Sequence, residues 1–141
     1  MKKLAVLLLF CAVLCLTPAL EALPGAASCA AVLQRVREGA GVPAADLPAD
    51  SAAAYLDIDP LLLRDSAMAR GGSNQIVVLT AKDAPSFKLL QAALSSYAEQ
   101  SVRESPGLGP QATLRMRGMQ LALVLFRDAA AASAALDGAW E

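Results

Sequence analysis

Two unbroken apolar runs constrain the fold of this chain more than any other feature of its sequence. One occupies residues 76–79, and the other fills most of residues 120–126. Short apolar runs without polar alternation, bounded by turn-forming residues, are typical of strands that other elements cover on both faces. The first run therefore predicts a central strand of a sheet, and the second predicts another near-continuous apolar strand.

A hairpin and a long helix surround the first run. Residues 66–70 and 75–81 are predicted strands, and residues 71–74 between them are of types that tolerate a positive φ in a turn. Asp83 then caps a predicted helix over residues 84–103. Five apolar residues recur near helical spacing and predict the buried side of this helix: Phe87, Leu90, Leu94, Tyr97 and Val102.

A second hairpin and a last helix complete the chain. Residues 112–117 alternate, with one set of side chains on each face: Ala112, Leu114 and Met116 against Thr113, Arg115 and Arg117. Gly118 marks a tight turn into the strand over residues 120–126. Asp128 caps a helix that is predicted to run through Trp140.

The part of the chain before these hairpins is predicted to be helical. Helices are expected over residues 30–38 and 51–55, with a loop over residues 42–50 between them. Asp59 and Pro60 begin a third helix as N-cap and first helical residue, and the three leucines that follow would form its buried side. The predicted order is α-α-α-β-β-α-β-β-α. Two hairpins separated by a helix predict one antiparallel sheet of about four strands with helices packed on it, which is an α+β domain.

A targeting segment precedes this domain. Two lysines are followed by an unbroken apolar segment over residues 4–16, which is shorter than the roughly 18 residues needed to span a bilayer. Small residues come next, and cleavage after Ala27 or after Ser28 would suit a signal peptidase. We predict a signal peptide over residues 1–28 and a single domain over residues 29–141. The protein is then extracytoplasmic, either secreted or attached to the outer face of the cytoplasmic membrane, and an uncleaved anchor is the alternative.

Cys29 is the cysteine that this processing leaves in the chain, because Cys11 and Cys15 lie inside the apolar segment. A single cysteine excludes an internal disulfide. Residues 26–29 loosely resemble the motif in which a cysteine becomes the lipidated first residue of a lipoprotein. Cys29 is therefore a candidate lipidation site, and the alternative is an unmodified thiol or the first residue of a helix.

The residue types of the common catalytic sites are missing. The sequence contains no histidine, which removes Ser-His-Asp and Cys-His nucleophiles and the commonest zinc ligand. No glycine-rich segment has the spacing of a phosphate-binding loop. A formal net charge of −1 without a basic cluster, and an aromatic fraction of 4%, argue against nucleic-acid binding. We predict that the protein is not an enzyme and has no catalytic residue, cofactor, metal or nucleic-acid partner.

Three aspartates lie close together in the sequence, at Asp57, Asp59 and Asp65. They lack the glycine and the final glutamate of a calcium-binding loop. We interpret Asp59 as a helix cap, Asp57 as a turn residue and Asp65 as a surface residue.

Arg115 and Arg117 are two residues apart on one face of a predicted strand. They form a candidate face for an anionic partner, such as a wall polymer or a lipid head group. A solvated outer face, which protects an edge strand from aggregation, is the alternative. Arg70, near the first hairpin, is a candidate third member of the same face.

Several short phrases, taken in order, resemble a known family. They are Tyr-Leu-Asp-Ile-Asp-Pro at residues 55–60, the small-residue strand at 66–72, the strand and helix start at 76–83, and the Arg117-Gly118 hairpin. This order is similar to that of a family of uncharacterised exported lipoproteins, the domain of unknown function 4358.

The resemblance covers essentially all of residues 29–141. It implies a small exported domain, often lipid-anchored, of the kind found mostly in Gram-positive bacteria, and it supplies no catalytic residues. The chain departs from the family in its weak lipidation motif. It also departs in having Met119 and Gln120 where an Asn-Tyr pair often follows the hairpin glycine.

These observations predict a non-catalytic binding or interaction module of the cell envelope. Its expected partner is another envelope protein or a cell-wall component, and membrane contact would come only through the leader or a lipid anchor. The alternatives are a carrier of a small ligand or peptide, and an envelope enzyme with a non-classical site. Exposed Tyr55, Met68 or Trp140 would favour a binding surface, whereas a deep cavity would favour the carrier.

Overall fold

The computed structural model describes residues 28–43, 46–71, 74–104 and 111–140. Within these ranges the chain forms five strands, four α-helices and one 3-10 turn. In chain order they are α1 (Cys29–Ala40), β1 (Ala49–Asp50), α2 (Ala52–Leu56), the 3-10 turn (Pro60–Leu62), β2 (Leu63–Gly71), β3 (Asn74–Ala81), α3 (Ala84–Glu104), β4 (Gln111–Arg117), β5 (Gln120–Phe126) and α4 (Ala129–Gly138). The mixture of helices with an antiparallel sheet confirms the α+β class.

The five strands form one sheet in the order β1-β2-β3-β5-β4, and every neighbouring pair is antiparallel. Helices α1 and α4 pack against each other and against one face of this sheet. Helix α3 packs on the other face, together with the short helix α2. The sheet is therefore the middle of three layers.

The covering of both faces is clearest at β3. Ile76 and Val78 belong to the core on the α1 side, and Val77 and Leu79 belong to the core on the α3 side. All four side chains are fully buried. This confirms the prediction of a central strand from an apolar run without alternation.

Local side-chain bonds begin the longer helices where the sequence predicts them. The Asp83 carboxylate accepts a hydrogen bond of 2.9 Å from the Ser86 N–H at the start of α3, and Asp128 accepts one of 3.1 Å from the Ala131 N–H in α4. Gly118 has a φ of 58° in the turn between β4 and β5, a conformation that favours glycine.

The predicted strand count is wrong by one, because β1 lies within residues 42–50, where the sequence predicts a loop. Strand β1 consists of Ala49 and Asp50, which pair with Ala69 and Met68 of β2. Two residues are too few to produce a period, so this strand exists only because a neighbouring strand is there to pair with it.

The third predicted helix begins as expected, with Asp59 as its N-cap and Pro60 as its first residue, but it is only a short turn and the predicted buried leucine side is wrong. Pro60–Leu62 form a single 3-10 turn, with the Asp59 carboxylate accepting from the Leu61 N–H at 3.0 Å, and Leu61 is 74% exposed. Leu63 already pairs with Ala81 of β3, so β2 begins three residues earlier than predicted. Leu63 and Asp65, which a longer helix would include, instead pair with residues of β3.

The last helix ends at Gly138 rather than at Trp140. The two residues that follow it form a turn, and the Trp140 side chain lies against the sheet. Among the described residues, no helix is long and apolar enough to cross a membrane.

Candidate functional site

A row of four polar residues crosses the sheet from β2 to β4. Asp65 lies opposite Thr80, Thr80 lies opposite Gln120, and Gln120 lies opposite Arg117. Residues that pair directly across antiparallel strands have side chains on the same face. Val78 and Ala122, the next positions along this face, belong to the core under α1. The row therefore lies at the end of that core.

Helix α1 begins directly on this row. The Cys29 N–H donates to the Asp65 carboxylate at 2.8 Å, and the Cys29 Sγ lies 3.1 Å from the Thr80 hydroxyl. The Gln120 amide donates toward the same sulfur at 3.7 Å. A carboxylate at a helix N-terminus is favourable because the first N–H groups carry a partial positive charge. Asp65 is thus a half-buried partner of the helix start, a contact that its interpretation as a surface residue did not include.

The chain after α4 reaches the same row from the other side. The Trp140 indole N–H donates to the Gln120 side-chain oxygen at 2.7 Å, and the Gln120 amide donates to the Thr80 hydroxyl at 3.2 Å. Arg117 donates to the Trp140 backbone carbonyl. We call Cys29, Asp65, Thr80, Gln120 and Trp140 the buried polar cluster, after its buried members Cys29 and Gln120; the other three are half-buried.

The buried polar cluster is poorly suited to nucleophilic chemistry. Cys29 is 0% exposed, and burial raises the pKa of its thiol to about 11, with the bond from Thr80 opposing the rise and the charge of Asp65 adding to it. Reactive cysteines are accessible and have a lowered pKa. In the described part of the chain, no group of three or more histidine, cysteine, aspartate or glutamate residues could hold a metal ion.

The candidate lipidation site is therefore the first residue of a helix, with its sulfur in the core. A thioether-linked lipid needs that sulfur at the surface, so lipidation would require the first turn of α1 to leave the sheet. Lipidation of Cys29 stays a prediction. The rest of the predicted signal peptide, residues 1–27, lies outside the described residues.

Arg115 and Arg117 share a face of β4, and both reach toward the region of α4. The Arg115 guanidinium forms an ion pair of 3.0 Å with Asp137 and donates to the Ser133 hydroxyl at 3.3 Å. Their role as a face for an anionic partner stays a prediction. Asp137 already supplies one negative charge to this face.

Arg70 does not join that face. It follows Met68 by two positions, and Met68 belongs to the core on the α3 side, so Arg70 lies on the opposite face of the sheet. Its guanidinium forms an ion pair of 2.7 Å with Asp50. The guanidinium carbon also lies 4.0 Å from the centre of the Tyr55 ring, which is a cation–π contact.

A second aromatic ring extends this group. The rings of Tyr55 and Tyr97 meet edge to face, with their centres 6.3 Å apart, and the Tyr97 hydroxyl donates to Gln75. We call Asp50, Tyr55, Arg70, Gln75 and Tyr97 the tyrosine–arginine cluster. Tyr55 is 40% exposed, and the side chain of Arg70 is 43% exposed.

Charge and burial act differently on the two ends of the tyrosine–arginine cluster. The hydrogen bond from Arg70 lowers the pKa of Asp50. Burial, followed by the neighbouring Tyr55 hydroxyl, raises the pKa of Tyr97. One end of the cluster is therefore an open ion pair and the other a partly buried neutral phenol.

Sequence reasoning missed the tyrosine–arginine cluster as a unit. Its members come from β1, α2, β2, β3 and α3. Tyr55 and Arg70 each attract attention in the sequence, but no periodicity or spacing relates them to one another or to Tyr97.

An open groove runs between the end of α3 and the start of β4. It has a volume of about 420 Å³ and is lined by Ala98, Glu99, Val102, Arg103, Gln111 and Ala112. Ligand pockets enclose most of the surface of their ligands. This groove is open to solvent rather than enclosed, so it differs from the deep cavity that a carrier would need.

Comparison of the chain with protein-family models, with curated proteins and with solved structures finds no match. The resemblance to the exported lipoprotein family therefore stays a prediction.

Proposed function

We propose that this chain is exported from the cytoplasm and acts in the cell envelope as a non-catalytic binding module, with the tyrosine–arginine cluster as its contact surface. The observation that carries the proposal is the exposure of Tyr55 and Arg70, which lie in contact on one surface. Tyrosine and arginine are enriched among the residues that dominate the binding energy of protein interfaces.

The contacts within the cluster support this role. Arg70 lies over one face of the Tyr55 ring, and the Tyr97 ring meets Tyr55 edge to face. Arg70 and Tyr97 therefore restrict the Tyr55 side chain in the free protein. A surface that is already ordered loses less conformational entropy on binding, so a modest area can give useful affinity.

The expected partner is another envelope protein or a cell-wall component. A carrier of a small ligand or peptide is the alternative, and it would use the open groove beside α3. The two proposals differ in the surface that is covered on binding, so the position of contact distinguishes them.

Site-specific photo-cross-linking in the native host tests the proposal. A photoreactive phenylalanine analogue replaces Tyr55 in one strain and Gln34 in another, since Gln34 is exposed on α1 in the opposite layer. We expect a discrete cross-linked product in the envelope fraction from position 55, with none from position 34. Equal products from both positions, or none from position 55, would contradict the proposed surface. A discrete product from position 102 in the groove, with none from position 55, would favour the carrier.

A further inference from the structure

We propose that the mature chain keeps Ser28, and that Cys29 stays an unmodified thiol because its place in the fold and a lipid on its sulfur exclude one another. The proposal rests on the proposed export, since it concerns how the leader is removed. Cleavage then occurs after Ala27 and not after Ser28, the other bond that would suit a signal peptidase.

Ser28 belongs to the folded domain. Its backbone is extended, with φ −60° and ψ 151°, and its side chain accepts from the Ala31 N–H at 3.2 Å. Its carbonyl accepts from the Val32 N–H at 3.1 Å. Cleavage after Ser28 would remove both acceptors and leave these first-turn donors without them. Cleavage after Ala27 keeps both.

Cys29 is held at three points, and a lipid on its sulfur would crowd the two that involve that sulfur. Its N–H bonds to Asp65, while its sulfur lies against Thr80 and Gln120. The same side chain is part of the core formed by α1, α4 and the sheet. The two acyl chains of a lipid on this sulfur must leave the protein to enter a membrane. The sulfur has no exposed surface through which they could pass.

Lipidation before folding does not remove this conflict. A lipid added to the unfolded chain would keep Cys29 at the membrane, and the domain would then fold without the first turn of α1 on the sheet. Removal of the leader by hydrolysis at the Ala27–Ser28 bond avoids the conflict. Water adds across that peptide bond, leaving a carboxylate on Ala27 and an amino group on Ser28. Gly25 and Ala27 then supply the small side chains that the peptidase requires.

Intact-mass analysis of the full-length gene product, isolated from the native host, is the first test. We expect one processed species that begins at Ser28, or upstream of it, without a diacylglycerol adduct. Denatured protein should then show one thiol per chain, since Cys11 and Cys15 leave with the leader. A mass that begins at Cys29, or any lipid adduct on Cys29, would overturn the proposal.

Thiol reactivity gives a second, independent measurement. In the native processed protein we expect Cys29 to react with a maleimide at least about 100-fold more slowly than after denaturation, because reaction needs local opening. A Cys29→Ser, Ser96→Cys variant is the matched control, since Ser96 is exposed on α3. Equal native rates for Cys29 and for the cysteine at position 96 would show that Cys29 is not buried.

The Cys29→Ser variant also separates the two processing routes in the cell. Lipoprotein processing needs the cysteine sulfur, so a lipoprotein with this substitution accumulates as an unprocessed precursor. We expect the variant to be processed at the same bond as the natural chain and to reach the same fraction. Accumulated precursor would overturn the proposal. A natural chain that stays full-length in the cytoplasm would instead overturn the proposed export.

Discussion

The buried polar cluster and the tyrosine–arginine cluster lie on opposite faces of the sheet and toward opposite ends of β3. The first includes Thr80 near the end of β3, and the second includes Gln75 near its beginning. Both contain several hydrogen bonds between distant parts of the chain. They differ in the access of water, since Gln120 is 4% exposed whereas the Arg70 side chain is 43% exposed.

This difference in access determines what each set of contacts can do. A buried polar group that loses its partner has no water to replace it, so its desolvation lowers stability. An exposed ion pair competes with water and adds little to folding. The buried polar cluster therefore stabilises the positions of the start of α1 and of Trp140. The tyrosine–arginine cluster is exposed and can contact a partner. Four predictions test this division, beginning with the largest expected effect.

Replacing Gln120 with alanine should produce the largest loss of stability. The change removes the acceptor of the Trp140 indole N–H and a donor to Thr80, and it leaves space in a buried region. We expect the free energy of unfolding to fall by about 2–3 kcal/mol, measured by urea denaturation. Gln111→Ala is the control, because Gln111 is exposed on β4. Similar decreases in the free energy of unfolding of the two variants would show that burial of Gln120 does not make its hydrogen bonds more important for stability.

Alkaline pH should weaken the fold through Cys29. The folded-state pKa of this thiol is about 11, against 9.0 for an ordinary cysteine, so the unfolded chain loses its proton first. The buried, protonated thiol therefore makes its full contribution to the free energy of unfolding below pH 9, and this contribution is lost as the pH rises toward 11. We expect the free energy of unfolding to fall over this window by about 1–2 kcal/mol more in the natural protein than in Cys29→Ser.

Urea denaturation at several pH values measures this difference. The raised pKa of Tyr97 lowers stability at alkaline pH in both proteins, so subtracting one pH profile from the other removes it. Identical profiles for the two proteins would mean that the thiol titrates normally and that Cys29 is not held in the core.

Asp65→Asn should have a smaller effect. The amide oxygen can still accept a hydrogen bond, but the negative charge at the N-terminus of α1 is lost. We expect a decrease of about 1 kcal/mol in the free energy of unfolding at pH 7. Asp46→Asn, at an exposed position before β1, is the control and should be neutral. A neutral Asp65→Asn variant would show that the carboxylate charge does not stabilise α1.

Arg70→Ala should have the smallest effect on stability. Its ion pair with Asp50 and its contact with Tyr55 are exposed, so we expect no measurable shift in the urea midpoint. The same change should reduce cross-linking from the photoreactive residue at position 55, because Arg70 is itself an exposed part of the proposed contact surface. A large loss of stability would instead show that the contacts of the tyrosine–arginine cluster stabilise the folded sheet.

Much of the secondary structure could be predicted because its causes are local. The apolar run at residues 76–79 marked a strand covered on both faces, and Asp83 and Asp128 marked the starts of α3 and α4. These features depend on side-chain periodicity and on bonds between residues three apart. The α+β class followed from the order of such elements.

The candidate sites could be predicted only as separate residues. Cys29, Asp65, Tyr55 and Arg70 were each singled out in the sequence, but the contacts of Cys29 with Asp65 and of Tyr55 with Arg70 were not predicted. The contact of Cys29 with Asp65 spans 36 positions, and its contact with Gln120 spans 91. No local pattern reports which residue of a neighbouring strand will lie opposite, because strand register comes from the packing of the whole sheet.

The sequence by itself determined the alternation, the capping residues and the α+β class, since each depends on neighbours along the chain. The tertiary structure alone decided that residues 49–50 pair with β2, that the leucines after Pro60 end a turn rather than continue a helix, and that Asp65 meets the start of α1. Those outcomes depend on surfaces that become neighbours only after folding, and burial there changes the energetics of groups that look like ordinary surface residues in the sequence.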